Sequence, residues 1–253
     1  MVMYWIGMFF LFGIVLGSFF NVVGIRVPKR ISFHQDRSFC PTCNNQLCWY
    51  ELIPILSYLI QRGKCRNCKE TISPIYPIIE IFTGLLFAFS YVQIGLKLEL
   101  ITALLLISML MILFVSDLVY MVIPNKILVF FLPYFIIMRI ISPLVPWYDA
   151  ILGSVVGYLL IAIIILVSQG GMGAGDMKLF GVLGIILGWK QVLLTFFLAA
   201  SLGAIIGGIL LMLNKVKKKQ PIPFGPYIVV GALISYFYGE EILIFYLSFF
   251  EKL

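Results

Sequence analysis

The sequence predicts an all-α polytopic membrane protein with about eight transmembrane helices and one small polar module. Of its 253 residues, 62% are hydrophobic and only 11% are charged. A soluble domain of this length could not bury so much apolar surface. The long apolar runs leave one sizeable polar stretch, residues 25–75, which carries all five cysteines. We therefore expect a first transmembrane helix (1–24), a cytoplasmic four-cysteine module (25–75) and a seven-helix membrane core (76–253).

Hydropathy predicts eight spans, most of them near the length of about 20 residues that crosses a bilayer. They lie at residues 2–24, 76–95, 99–117, 126–142, 150–168, 177–189, 191–213 and 224–249. The first is too long for a signal-peptide core and no small-residue cleavage site follows it, so we expect it to be retained. The sixth is short, so we expect it to be tilted, partly capped by the preceding glycines, or placed in a thinned bilayer.

The basic residues predict the orientation. One set of connections holds most of the 18 Lys and Arg residues, namely Arg26, Lys29, Arg30, Arg37, Arg62, Lys64, Arg66, Lys69, Lys126, Lys178, Lys215, Lys217, Lys218 and Lys219. The positive-inside rule places this set in the cytoplasm and both termini outside. The net charge of +7 then reflects topology rather than nucleic-acid binding. Lys215–Lys219 is interpreted as a topology anchor, with lipid contact as an additional role left open.

The polar module contains two C-x-x-C pairs, Cys40/Cys43 and Cys65/Cys68, separated by 21 residues. Four thiolates in two close pairs suit tetrahedral zinc, and a closed site of this kind is structural. Disulfides do not persist in a reducing cytoplasm, which favours metal over bridges. A redox pair or plain thiols are the alternatives. Cys48 is expected to take no part.

Two carboxylates lie at matching ends of predicted spans. Asp117 closes the apolar run that begins at Leu100, and Asp176 precedes the run that resumes at Leu179. The charge count places both ends at the cytoplasmic face. Two carboxylates at one depth can share a proton and activate water, as in aspartic proteases. The pair therefore favours an intramembrane aspartyl peptidase, although a structural or proton-relay pair neutralised by a lysine (Lys126 or Lys178) is the alternative.

Four glycines precede or flank Asp176 within residues 170–175. Glycine permits positive φ and removes side chains, so another backbone could approach the carboxylate closely. We expect Gly173 and Gly175 to form a substrate-access loop. A simple turn between helices is compatible with the same pattern.

Further short motifs run through nearly the whole chain. They are Gly17-Ser18-Phe19-Phe20-Asn21-Val22-Val23 with Arg26 and Pro28, Ser38-Phe39-Cys40-Pro41-Thr42-Cys43, Trp49, Ile53-Pro54-Ile55-Leu56-Ser57-Tyr58, Gly63-Lys64-Cys65-Arg66-Asn67-Cys68, Tyr76-Pro77-Ile78-Ile79-Glu80, Asp117 with Ile123-Pro124-Asn125, Gly173-Ala174-Gly175-Asp176, and Phe224-Gly225-Pro226-Tyr227. Each is weak alone, and G-x-G-D also occurs in presenilin-like proteases. In this order they resemble the type IV prepilin peptidases, including those that serve competence pseudopilins and type II secretion.

The resemblance implies two activities at the cytoplasmic face of a bacterial inner membrane. Such enzymes cut the short basic leader of prepilins or pseudopilins after a glycine. Many then methylate the new N-terminal amine with S-adenosylmethionine. The family's catalytic aspartates correspond to Asp117 and Asp176. Its zinc ligands correspond to the four paired cysteines Cys40, Cys43, Cys65 and Cys68.

The sequence leaves the roles of three positions open. Glu51-Leu52 departs from the Asp-Asn that relatives often carry there, and this affects how a methylation role would be assigned. Glu80 is either a helix-start acid favoured by the dipole or part of a methyltransferase pocket. His34, the single histidine, is expected to be a solvated loop residue. No Rossmann-type glycine loop follows a strand, so the sequence does not locate the methyl-donor site.

Three functions compete on these grounds. The first is a bifunctional leader peptidase and N-methyltransferase. The second is a peptidase without methylation, and the third is a proton-coupled transporter that uses the two acids as a relay. The four-cysteine module and the G-x-G-D motif have no obvious transport role, and no inverted repeat is visible in the sequence.

Overall fold

The apolar runs form helices whose positions follow the hydropathy. The computed structural model describes residues 1–31, 38–168, 171–215 and 222–250, with side chains described up to residue 248. In these ranges the helices are α1 (Val2–Arg26), α2 (Leu56–Ile60), α3 (Ile75–Ile94), α4 (Leu98–Tyr120), α5 (Asn125–Ile141), α6 (Asp149–Val167), α7 (Ala174–Leu187), α8 (Trp189–Met212) and α9 (Gly225–Phe250), with a 3₁₀ turn at Trp49–Leu52. The same ranges contain two isolated β-bridges and no strand, which confirms the predicted all-α class.

Each predicted span corresponds to one helix, but the helices differ in length. Six of those described, α1, α3, α4, α6, α8 and α9, are long and apolar enough to cross a membrane. The 17 residues of α5 and the 14 of α7 are fewer. At 1.5 Å per residue α7 is about 21 Å long, against a hydrocarbon core of roughly 30 Å. Helix length alone therefore supports six spans rather than the predicted eight.

Several predicted features fall outside the described ranges. They are Gly170, His34, Arg37, Lys217, Lys218 and Lys219.

The chain forms two compact units, Met1–Val115 and Ser116–Leu253. The predicted boundary at residue 75 lies inside the first unit. In that unit α1 and α3 pack closely through glycines. A methyl group at Gly13 would lie 2.7 Å from the Cα of Gly84, and one at Gly17 would lie 2.9 Å from the Cα of Glu80. Small residues at this spacing let two helix backbones approach directly.

The same unit carries the polar segment between α1 and α3. We call residues 38–74 the cysteine module. The N-terminal end of α3 is joined to α1 by Asn21, whose Nδ2 donates to the carbonyl oxygen of Tyr76 at 3.2 Å. Near the other end of α3, Tyr91 stacks on Phe9 with ring centroids 5.2 Å apart. The two helices are therefore antiparallel, and the cysteine module lies at the C-terminal end of α1.

In the second unit α7 is the central helix. It packs against α5, α6, α8 and α9, and its side chains Leu179, Phe180 and Leu183 are completely buried. A helix that is apolar on every side is expected to be buried on every side. Gly153 of α6 and Gly184 of α7 meet backbone to backbone. This contact lets α6 run antiparallel to α7 at very short range.

Hydrogen bonds at both ends align α5 with α7. At their first turns Lys178 Nζ donates to Asn125 Oδ1 at 3.1 Å. At their last turns Arg139 donates to the carbonyl oxygen of Ile186 at 2.6 Å. The two helices are therefore parallel and start at the same level. That level is also where the two aspartates of the sequence analysis are found.

Candidate active site and metal centre

Asp117 lies in the last turn of α4 and is tied to the start of α9. Its Oδ2 accepts the backbone N–H of Gly225 at 2.7 Å, although the two residues are 108 positions apart in the sequence. Only 6% of Asp117 is exposed. A carboxylate at a helix N-terminus meets unpaired backbone N–H groups and the positive end of the helix dipole. The first turn of α9 thus stabilises negative charge on Asp117.

Asp176 has an equivalent environment at the start of α7. It is the third residue of that helix, and its Oδ2 accepts the N–H of Gly173 at 3.0 Å. Because glycine has no side chain, only the acidic half of a capping box is present. Asp176 is 8% exposed. Both carboxylates are therefore buried, and each is fixed through one oxygen to the backbone of a helix start.

The two carboxylates lie near enough to interact electrostatically. Their remaining oxygens, Oδ1 of Asp117 and Oδ1 of Asp176, have no hydrogen-bond partner among the described residues. No lysine neutralises either of them in those ranges. Lys178 is exposed and donates to Asn125 instead, and Lys126 is also exposed. This arrangement favours the catalytic pair over the lysine-neutralised alternative.

The described glycines around Asp176 do not use the positive φ that glycine permits. None of the described ones, Gly171, Gly173 or Gly175, has a positive φ, and Gly175 is already inside α7. Their role is close packing. A methyl group at Gly175 would lie 2.9 Å from the Cβ of Ile123, and one at Gly173 would lie 3.3 Å from Oδ2 of Asp176. The expected access loop is thus the N-cap and first turn of a helix.

A comparable contact, absent from the sequence predictions, fixes Asp117. A methyl group at Gly225 would lie 2.7 Å from Oδ2 of Asp117 and 2.8 Å from its Cγ. Only glycine lets the α9 backbone come this close. The sequence signal was available in Phe224-Gly225-Pro226-Tyr227, because proline is favoured in the first turn of a helix. The sequence does not reveal which side chain accepts the N–H group at this helix start.

The cysteine module repeats one local structure twice, 25 residues apart. In the first knuckle Cys40 N–H donates to the Asn45 carbonyl and Asn44 N–H donates back to Cys40. The second knuckle has the same two bonds, made by Cys65, Glu70 and Lys69. Asn44 and Lys69 are both left-handed, with φ of 54° and 61°. The bridges Phe39–Gln46 and Lys64–Thr71 close the two knuckles at equivalent positions.

This repeat brings the four paired cysteines together. All four Sγ atoms lie within 4.8 Å of one another, and Cys48 is not among them. The Sγ atoms of Cys40 and Cys68 are 3.8 Å apart. A tetrahedral Zn–S₄ site with bonds of about 2.3 Å has S–S edges of about 3.8 Å. The cluster could therefore hold a metal ion, as predicted, and Cys48 lies outside it, as predicted.

Hydrogen bonds and burial shift the pKa values of two thiols in this cluster in opposite directions. Backbone N–H groups of Cys43 and then Thr42 lower the pKa of Cys40 to about 6. For Cys68 the backbone N–H of Glu70 lowers the pKa, but burial and hydrogen bonds to the other three thiols together raise it to about 12. A cation bound between the thiols would favour their ionised forms.

A pocket of about 360 Å³ lies beside the cysteine module, within the first unit. Its walls come from the C-terminal half of α1, the start of α3 and the module. Glu80 lines it, is 6% exposed, and accepts the N–H of Ile55 at 2.7 Å through Oε2. Glu80 is thus a buried residue of the pocket wall, in the second turn of α3. Asn21 also lines the pocket.

Comparison with known proteins agrees with this geometry. A family model described as "Bacterial Peptidase A24 N-terminal domain" matches residues 11–94. A second, described as "Type IV leader peptidase family", matches residues 104–208. A Bacillus subtilis (strain 168) protein named prepilin leader peptidase/N-methyltransferase is 44% identical, over 94% of this chain and 96% of its own length. The chain belongs to the type IV leader peptidase family. No solved structure matches it.

Other relatives carry the same name. The protein of Aeromonas salmonicida (strain A449) is 33% identical and that of Pseudomonas aeruginosa 31% identical, each over 94% of this chain and 92% of its own length. The leader peptidase match contains Asp117 and Asp176, and the N-terminal domain match contains the four clustered cysteines and the Glu80 pocket. Gly225, which holds Asp117, lies beyond both matched regions.

Proposed function

We propose that this protein removes the basic leader of type IV prepilins or pseudopilins at the cytoplasmic membrane face and N-methylates the new N-terminal residue. Asp117 and Asp176 are the catalytic pair. The observation that carries the proposal is their shared geometry: two buried carboxylates, each fixed through Oδ2 to a helix-start N–H, with no neutralising lysine among the described residues. The printed name of the relatives supports both activities.

The pair suits peptide hydrolysis through general acid–base catalysis. One carboxylate is ionised and takes a proton from water as the water oxygen attacks the scissile carbonyl carbon. The other is protonated and donates to the carbonyl oxygen. When the C–N bond breaks, a proton passes to the departing amine. The two helix starts stabilise the single negative charge that the pair holds throughout this cycle.

Methyl transfer follows on the amine that cleavage exposes. The amine must lose its proton and present a lone pair to the methyl group of S-adenosylmethionine, which supplies an activated methyl. A peptidase that lacks this step is the second candidate. The Glu80 pocket in the N-terminal region favours the bifunctional protein, since cleavage by the aspartates makes no use of it.

The cysteine module is proposed to hold one structural zinc through Cys40, Cys43, Cys65 and Cys68. The four-sulfur donor set and the 3.8 Å sulfur separation fit zinc. The metal would neutralise the thiolates and lock the two knuckles together, and it takes no part in hydrolysis.

We also propose eight membrane crossings, with the aspartates at the cytoplasmic face and both termini outside. The parallel pairing of α5 and α7, and the antiparallel pairing of α6 with α7, support a crossing for each of these helices. If α5 and α7 did not cross, α6 would carry the chain to the opposite face, and the start of α7 with Asp176 would lie there. The interaction between Asp117 and Asp176 argues against this placement.

The test uses purified full-length protein in lipid nanodiscs with a prepilin that carries a basic leader. Intact-mass spectrometry of the product reads leader removal and N-methylation separately. We expect a shortened product that gains one methyl group when S-adenosylmethionine is present. A shortened product that never gains the methyl group would support the proposed peptidase activity and contradict the proposed transferase activity. An unprocessed prepilin would contradict the proposal as a whole.

A further inference from the structure

The Glu80 pocket has the size of a small-molecule site. Its volume of about 360 Å³ lies within the range of roughly 300–1,000 Å³ that such sites occupy. It is lined mainly by apolar and aromatic side chains, including Phe39, Tyr58 and Tyr76. Flat aromatic and apolar walls favour a planar heterocycle. The pocket therefore suits a ligand with an aromatic part.

Among the polar side chains that line the pocket, Glu80 and Asn21 are buried hydrogen-bond acceptors, and Arg26 and Lys29 are cations. The carboxylate of Glu80 is bonded by the Ile55 N–H and by the Ser18 side chain, but no cation pairs with it among the described residues. Asn21 is 1% exposed, and its Oδ1 has no hydrogen-bond partner in the described ranges. A buried carboxylate and a buried unpaired acceptor are each costly unless a positive or donor group meets them.

The wall beside Glu80 is held in a strained conformation. Ile55 has φ of 62° and ψ of −53°, and Leu56 N–H donates to the Pro54 carbonyl at 2.6 Å. This is a positive-φ γ-turn, which is rare and unfavourable for a β-branched residue. The bond from Ile55 N–H to Glu80 stabilises it. The strained turn and the buried carboxylate thus form one preorganised unit.

We infer that this pocket binds the methyl donor S-adenosylmethionine, with Glu80 and Asn21 as its polar anchors. The inference rests on the proposed N-methyltransferase function and assigns a site to it. The donor combines an aromatic adenine, several N–H donors and two positive groups, a sulfonium and an ammonium. The adenine matches the apolar walls, and the N–H donors match Asn21 Oδ1, which has no hydrogen-bond partner in the described ranges. The positive groups match the Glu80 carboxylate, which is hydrogen-bonded but carries no ion pair among the described residues.

The charge on Glu80 also makes the pocket prefer the methyl donor over its product. In methyl transfer the S–C bond breaks and its electron pair stays on sulfur, while the amine lone pair forms the new N–C bond and the amine proton leaves to water. The donor therefore loses its sulfonium charge and becomes the neutral thioether S-adenosylhomocysteine. A carboxylate in a buried site favours the charged donor over the spent product. Glu80 then promotes exchange of product for fresh donor.

The test measures binding directly, by isothermal titration calorimetry of the full-length protein in nanodiscs with S-adenosylmethionine and with S-adenosylhomocysteine. Glu80→Gln keeps the size of the side chain and its ability to accept the Ile55 N–H, but removes the charge. We expect it to weaken donor binding at least about tenfold more than product binding, since interactions with a charged group are stronger than those with a neutral one. Glu241→Gln, an exposed change on α9, is the matched control and should alter neither affinity.

A second variant does not depend on Glu80. Ser57→Trp on α2 should fill the pocket and weaken binding of both ligands, with unfolding temperature reporting that the protein is folded. Suppose that the native protein binds the donor and methylates the cleaved product. If both variants then bind the donor as tightly as the native protein does, the pocket assignment is wrong, and the proposed methyltransferase function is retained. If the native protein neither binds the donor nor methylates, the proposed transferase falls and this inference falls with it.

Discussion

At the scale of single residues, the two aspartates lead to a direct prediction. Asp117→Asn and Asp176→Asn should each lower leader cleavage by at least about a hundredfold, because general acid–base catalysis contributes roughly 10²–10⁴-fold. An amide can neither take a proton from water nor be the protonated acid. It can still accept the N–H of Gly225 or Gly173, so the fold should persist. The measurement is the initial cleavage rate in nanodiscs, with unfolding temperature alongside.

Asp149→Asn is the matched control for those variants. Asp149 is in the first turn of α6, in the same unit, but at the level of Gly188 rather than that of the dyad. Its replacement should leave the cleavage rate within about twofold, as is usual for changes away from a reacting group. Near-normal cleavage by either dyad variant would show that the two-aspartate mechanism is incorrect.

Gly225 tests whether the backbone contact to Asp117 matters. Gly225→Ala places a methyl group against the carboxylate, and overpacking of this kind costs about 1–3 kcal/mol. A small displacement of a catalytic group can lower the rate about a hundredfold, so we expect a loss of cleavage larger than the loss of stability suggests. Gly208→Ala, where nothing lies within 4 Å, is the control. Equal cleavage by the two alanine variants would remove the proposed role of Gly225.

The sequence singled out the two aspartates but not what surrounds them. Charges at the ends of apolar runs are visible in a sequence, because their cost in a membrane makes them rare. The partner of Asp117 comes from 108 residues away and is a backbone N–H, which any residue other than proline possesses. The same holds for Ile55 N–H and Glu80. Gly173 and Gly175 do not use the positive φ that glycine permits, because α7 begins at Ala174, before the apolar run resumes at Leu179.

At the scale of elements, the cysteine module should lose its metal as a unit. Replacing Cys65 and Cys68 together by Ser removes one knuckle, and we expect zinc to fall from about one per chain to near zero, because metal-binding energy is also folding energy here. Elemental analysis of the purified protein measures this. Cys48→Ser should retain full zinc, since Cys48 lies outside the thiol cluster. Equal zinc loss from Cys48→Ser, or no zinc in the native protein, would contradict the assignment.

Element positions were predictable, whereas their packing was only partly so. Hydropathy located every long helix to within a few residues, because apolar length is a local property. The spacing Gly153-x-x-x-Gly157 on α6 and Gly13-x-x-x-Gly17 on α1 indicates close helix contact. It does not say which helix is the partner. The structure supplies α7 for the first and α3 for the second. Partner choice depends on the shapes of both surfaces, which a single sequence pattern does not contain.

At the scale of the whole molecule, the proposed eight crossings require that α5 and α7 both span the membrane. Eight crossings place the α5–α6 turn outside the cell and the α8 C-terminal end in the cytoplasm. The turn contains Val145, which is 96% exposed, and the α8 end is followed by Asn214. We expect Val145→Cys to react with a membrane-impermeant thiol reagent in intact cells. Asn214→Cys should react only after the membrane is permeabilised.

The native cysteines make a clean background for that labelling. All five lie in the polar segment between α1 and α3, which the charge count places in the cytoplasm, so the unaltered protein should be unlabelled in intact cells. With six crossings, α5 and α7 would both return to the face where they start. Val145→Cys would then react only after the membrane is permeabilised. Six crossings would also put the level of Asp176 on the side opposite Asp117, which the electrostatic interaction of the pair opposes. External labelling of Val145→Cys together with protection of Asn214→Cys is therefore the pattern required by one peptidase centre at the cytoplasmic face.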